Sequence, residues 1–275
     1  MFLSKFASKK ILIASACSCL AVSTVALPLS LSLFTPLAQA QSRRVRYTPP
    51  SNLGTPIVST PGATRSVCET TEACLIGLVP DLKAENAPVP QTISESPTFY
   101  FLIPETDGRG YFYLSEADSS LPEGKRVYRT SFKVKSKAGI LAFKMPTVKG
   151  ASILKLDKTY VWKFTVGGLT DSGTVRGSIR RVLPSPNLVV QLKKALLPLD
   201  RAALFAQEGI WFETVQTLAD AQQGISKKPE IVSEWNDLLK SAKLDRVLPY
   251  SFLKGVVLSE PTSERTSPPK QSYVY

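Results

Sequence analysis

Near Pro184 the spacing of apolar residues changes, and that change limits the folds open to the chain. Upstream, short segments alternate apolar and polar side chains, the two-residue period of a strand with one face buried. Thr98–Ile103, Tyr111–Ser115, Val127–Val134, Gly139–Lys144, Tyr160–Val166 and Thr174–Val182 read this way. Aromatic and β-branched residues dominate them, and turn residues separate them. In the clearest segment Tyr160, Trp162, Phe164 and Val166 share one face, while Lys163 and Thr165 share the other. No helix-length pattern lies between these segments. A parallel sheet is therefore disfavoured, and an antiparallel β-sandwich, Ig-like in type, is expected over 66–183.

Downstream the period is helical. Ser185-Pro186 fits an N-cap followed by proline in the first turn. Leu188, Leu192, Ala195 and Leu196 then fall on one stripe. A second helix is expected over Asp200–Gln207, broken at Gly209. A third covers Ile210–Gln222 with Trp211, Val215, Leu218 and Ala219 on one face, and a fourth follows Pro229 with Ile231, Trp235, Leu238 and Leu239 inward. The expected class is thus α+β, with a helical part over 184–258 packed on or beside the sandwich. Phe205, Gly209, Trp211, Leu218 and Ala221 match most of a tetratricopeptide helix pair, although Thr214 stands where that pattern prefers alanine. One unit is too few for a solenoid, so it reads as a single helix pair capping the sheet.

The ends differ from the middle. Lys5, Lys9 and Lys10 precede an apolar run from Ile11 to Leu37, and Ala38-Gln39-Ala40 has the small-x-small pattern of signal peptidase sites. Residues 1–40 are read as a signal peptide cleaved before Gln41, which sends the chain to the periplasm or outside the cell. An uncleaved anchor is the alternative, disfavoured by Pro28 and the serines within the run. Residues 41–65 read as a flexible basic arm and 259–275 as a disordered tail. Export leaves Cys68 and Cys74. In an oxidising compartment they are expected to pair, with free thiols or half of a metal shell as the other readings.

The chain contains no histidine. That excludes Ser-His-Asp and Cys-His nucleophiles, His-ligated metals and an imidazole general base. No phosphate-binding glycine loop or dense carboxylate loop occurs, so no cofactor or metal is expected. Glu95, Glu105, Asp107, Glu116 and Asp118 are the candidates for the acid pair of a histidine-free glycan hydrolase, but most sit in or beside turns. The basic residues say more. Lys+Arg number 34 against 22 Asp+Glu, a formal net charge of +12.

Lys125, Arg126, Arg129, Lys133, Lys135 and Lys137 crowd one stretch, and strand alternation puts Lys133, Lys135 and Lys137 on its solvent face. Arg176 and Arg180 share a face of another strand. These five form the candidate surface for an anionic partner: an envelope polymer, a membrane surface or an acidic protein. The competing reading is a solvated face whose lysines guard a sheet edge. Nucleic acid is not expected, since it is a poor partner for an exported chain and no base-stacking aromatics are interleaved with the charges along the sequence. Phe99, Phe101, Tyr111, Tyr113, Trp162 and Phe164 are assigned to the core. The sequence therefore leans towards non-enzymatic binding in the cell envelope.

An ordered set of local patterns carries a resemblance. Arg65…Cys68 is followed by Leu78-Val79-Pro80, Pro97-Thr98-Phe99-Tyr100-Phe101 and Gly139-Ile140…Met145-Pro146. Tyr160-Val161-Trp162-Lys163-Phe164 and Gly177-Ser178-Ile179-Arg180-Arg181-Val182 come next, then Leu204-Phe205-Ala206-Gln207-Glu208-Gly209-Ile210-Trp211-Phe212. Together they resemble the uncharacterised exported family of cyanobacteria known as domain of unknown function 928, over roughly 65–245. The resemblance implies an exported cyanobacterial protein and brings no activity, substrate or catalytic residue.

Overall fold

The six segments with strand alternation all become paired strands. In the computed structural model, residues 44–50, 74–80, 88–118, 121–146, 152–167, 173–224 and 228–254 are described. The signal peptide expected over 1–40, Cys68 and the tail expected over 259–275 lie outside them. One three-stranded sheet has the order β1 (Ile76–Gly77), β3 (Thr98–Ile103), β6 (Gly139–Lys144). The other has five strands in the order β2 (Gln91–Thr92), β8 (Thr174–Arg181), β7 (Thr159–Val166), β4 (Thr106–Asp118), β5 (Leu121–Ser136).

Among the described residues the named strands pair antiparallel with one exception, and an isolated parallel bridge joins Ile140 to Phe252. β2 runs parallel to β8, with Gln91 opposite Arg180 and Thr92 opposite Arg181. This corrects the wholly antiparallel expectation. β2 is only two residues long and is not joined to β8 by a hairpin, so no turn dictates its direction.

β3 sits between two layers, so all six of its residues are buried, not one face alone as the alternation reading expects. Phe101 stacks on Phe164 at 3.8 Å and meets Trp162 edge-on at 5.6 Å, joining the two sheets. Phe143 of β6 adds contacts to Phe112 and Phe132. From the other layer, Phe212 meets Phe99 at 5.2 Å, and Tyr100 meets Phe252, which packs on Trp235.

The helices are α1 (Pro186–Lys194), α2 (Pro198–Gln207), α3 (Trp211–Gln223) and α4 (Pro229–Ser241). Ser185 caps α1, its Oγ accepting from the Leu188 N–H at 3.1 Å. The helix stops at Lys194, ahead of Pro198, so Leu196 leaves the inward stripe assigned to it and is exposed. Gly209 turns the α2–α3 corner with φ +74°, a left-handed conformation that favours glycine. The expected inward residues of α3 and α4 are all buried. The Trp211 indole donates to the Leu78 carbonyl at 2.9 Å, and sheet and helix residues share one continuous apolar cluster.

Residues 44–50 depart from the flexible arm expected over 41–65. Val45 is buried, its N–H donates to Glu234 Oε2 at 2.7 Å, and the Thr48 N–H donates to the Ala206 carbonyl at 2.9 Å. Tyr47 meets Trp211 edge-on at 4.8 Å. These single contacts to α2–α4 have no period, so no pattern in the sequence announces them.

Candidate functional site

The outer face of the five-stranded sheet brings the basic residues together. On β8, Val175, Gly177 and Ile179 point into the core, leaving Arg176 and Arg180 outward. On β7, Trp162 and Phe164 are buried and Lys163 lies outward. On β4, Gly110, Phe112 and Leu114 face inward, so Tyr111 and Tyr113 face out. This corrects their assignment to the core: Tyr111, Phe112, Tyr113 and Leu114 are apolar in both phases, and sequence alternation gives no preference between them.

Register then builds a row. Arg176 is opposite Lys163, Lys163 opposite Tyr113, and Tyr113 opposite Arg129. At the usual strand spacing the row spans about 14 Å. A shift in the β4–β5 pairing between Leu114 and Ser115 leaves Val127 as an extra residue in β5. Strict alternation would put Arg126 and Arg129 on opposite faces, and the bulge turns both to Tyr113. Arg126 lies 5.4 Å, Arg129 5.7 Å and Lys163 5.5 Å from the centre of that ring. Tyr111 stacks beside Tyr113 at 6.4 Å.

Lys163 and Arg176 are like charges directly opposite, which costs roughly 0.2–1 kcal/mol. An exposed cation–π contact returns only about 0.5–1 kcal/mol. Three such contacts meet at Tyr113 and offset that cost, and the row keeps its basic side chains on the outer face.

The five residues named from sequence fall along this face rather than in one spot. Arg176 belongs to the central row. Lys133 lies two rows away, opposite Arg109, and both are exposed. Lys135 is opposite Asp107 and forms a 2.8 Å ion pair with it, which holds its ammonium above the ordinary range. Lys137 is exposed just past the end of β5. Arg180 sits near the opposite end, 3.6 Å from Asp157 and about 30 Å along the strands from the Lys135 row. Arg126 and Arg129 belong to the basic stretch noted in the sequence but not to the five-residue surface expected from it, and neither do Lys163, Tyr111 and Tyr113. Lys163 was legible as outward, but its neighbours depend on register and on the bulge.

Three of the acids are engaged in separate ion pairs. Glu95 pairs with Arg181 at 2.6 Å, Asp107 with Lys135, and Glu116 with Lys158 at 3.2 Å. Glu105 is exposed, and Asp118 ends β4. Among the described residues no group of three or more His, Cys, Asp or Glu gathers where a metal ion would sit. Cys74 packs against the main core, and the Cys68–Cys74 pairing lies outside the described residues because Cys68 does.

A family model described as Domain of Unknown Function (DUF928) matches residues 60–251. No curated protein and no solved structure matches the chain.

Proposed function

The chain belongs to the family described as Domain of Unknown Function (DUF928), and from that premise, which brings no activity with it, we propose a non-enzymatic binding protein of the cell envelope that holds an anionic partner on its outer sheet face. The observation that carries this reading is the Arg176–Lys163–Tyr113–Arg129 row with Arg126 beside it. A face about 14 Å across with cations at strand spacing suits a polymer carrying repeated carboxylate, sulfate or phosphate groups. Tyr113 steadies the cations without neutralising them. A glycan hydrolase using an acidic pair is the other reading, and the separate ion pairs of Glu95, Asp107 and Glu116 support it less.

The reading includes export with cleavage before Gln41 and a β-sandwich of Ig-like type, supported by the aromatic contacts between the sheets. It includes α2–α3 as a tetratricopeptide-like pair, supported by the turn at Gly209. Cys68 and Cys74 pair in the exported protein. Intact mass before and after reduction will differ by two hydrogens, and equal masses would reject the disulfide.

The test is co-sedimentation of residues 41–275 with isolated cell envelopes over a salt series. Binding is expected to weaken as salt rises, because exposed charges are screened. Arg129→Gln/Lys163→Gln/Arg176→Gln is expected to bind at least tenfold more weakly, on the order of 0.5–1 kcal/mol for each charge removed. Lys135→Gln is expected to change binding little, since Asp107 already answers that charge. Binding indifferent to salt and to the triple variant would overturn the proposal.

A further inference from the structure

The segment from 183 to 197 exposes apolar side chains that its surroundings leave uncovered. Leu183 is 69% exposed, Val190 50% and Leu196 87%, with Val189 and Leu197 also exposed. The inward side of α1 is occupied by Leu188, which packs with Leu204, Phe205 and Ile210. At about 100° per residue, Val189, Val190, Lys193 and Lys194 lie on the arc turned away from Leu188. Lys193 and Lys194 are exposed at the last turn, and no acid stands in the first.

We propose that this face rests on an anionic lipid surface. The apolar side chains enter the boundary between headgroups and acyl chains, while the lysine stems run along it and set their ammonium groups among the phosphates. No helix among the described residues is long and apolar enough to cross a bilayer, and α1 at nine residues lies on the surface instead. Charge decides against a second copy of the chain. Whichever way a second copy packed on α1, that helix would offer Lys193 and Lys194 no acid to pair with. Anionic headgroups meet both requirements of the face. The site is separate from the sheet row and does not depend on it.

Vesicle flotation of residues 41–275, the compact unit that holds every described element, tests this. Vesicles of equal phosphatidylglycerol and phosphatidylcholine are compared with phosphatidylcholine alone. The parent is expected to float with the first and barely with the second. Val190→Asp/Leu196→Asp is expected to lose at least tenfold with an unchanged melting temperature, since both positions are exposed. Lys193→Gln/Lys194→Gln is expected to lose about tenfold at low salt, roughly fivefold for each charge at most. Four results would overturn the assignment. These are no flotation of the parent, equal flotation of the variants, a parent dimer that the aspartates dissolve, and a loss produced only by Arg129→Gln/Lys163→Gln. The last would assign lipid to the sheet row, whereas failure of the envelope test leaves this face unaffected.

Discussion

Trp162→Ala is expected to lower the unfolding free energy by about 3–5 kcal/mol, the range for truncating a large buried aromatic. The Trp162 ring is fully buried between the sheets, edge-on to Phe99 at 5.9 Å and to Phe101 at 5.6 Å. Two glycines make its space. A Cβ at Gly177 would stand 2.2 Å from the ring, and one at Gly77 2.7 Å from it. Gly177→Ala is therefore expected to be destabilising because β8 would have to move away from a packed ring. In a Trp162→Ala background the same alanine should cost much less, and a double-mutant cycle from urea unfolding measures that coupling. Additive losses would show that the glycine is not there for the ring. Among the described residues the Trp162 Nε1 has no hydrogen-bond partner, so Trp162→Phe keeps part of the packing and removes a buried donor. Its loss is expected to be well below that of the alanine variant.

Glu213→Ala is expected to cost about 2–4 kcal/mol, because buried donors lose their acceptor. Glu213 lies in the first turn of α3, half-buried as a residue but with its carboxylate Oε2 buried. Its Oε1 accepts from Thr92 Oγ1 at 2.6 Å, from the Ile93 N–H at 3.1 Å and from the Ser94 N–H at 2.9 Å. It thus ties the end of β2 to the helical layer. The second oxygen has no partner among the described residues, and burial pushes the carboxyl above its ordinary range against the effect of those hydrogen bonds. Glu213→Gln keeps a carbonyl acceptor and removes the buried charge, so it should be close to neutral at neutral pH.

The pH dependence follows from that direction. A carboxyl whose folded pKa is raised contributes stability that is fully present below its unfolded value and declines as pH rises through the folded one. The stability of the parent relative to Glu213→Gln should therefore fall as pH is raised from about 4 towards 8. Asp220, also raised by burial, is present in both proteins and cancels in the difference. Urea unfolding of the two proteins across that range checks the sign, and parallel curves would refute it.

Strand and helix positions were legible wherever one residue repeats the demand of its neighbour. Thr98–Ile103 and Gly139–Lys144 have the bounds expected from alternation. The Ser185 cap and the inward faces of α3 and α4 also follow from local spacing. The candidate site was legible only in part. Charge on Lys133 and Arg176 was visible, but alternation separates Arg126 from Arg129, and only the bulge in the β4–β5 pairing returns both to Tyr113. Tyr111 and Tyr113 looked like core because their neighbours Phe112 and Leu114 are equally apolar.

The amino-acid sequence by itself determined the period of each element, the absence of imidazole chemistry and the excess of positive charge, since these depend on composition or on residues a few positions apart. Only the tertiary structure decided which strands are neighbours, and hence that Arg176, Lys163, Tyr113 and Arg129 form one row. It also decided that Glu213 holds a strand 121 positions away and that residues 44–50 lie on the helices. Such contacts join distant parts of the chain and are selected by how well whole layers pack, a property that no local period encodes.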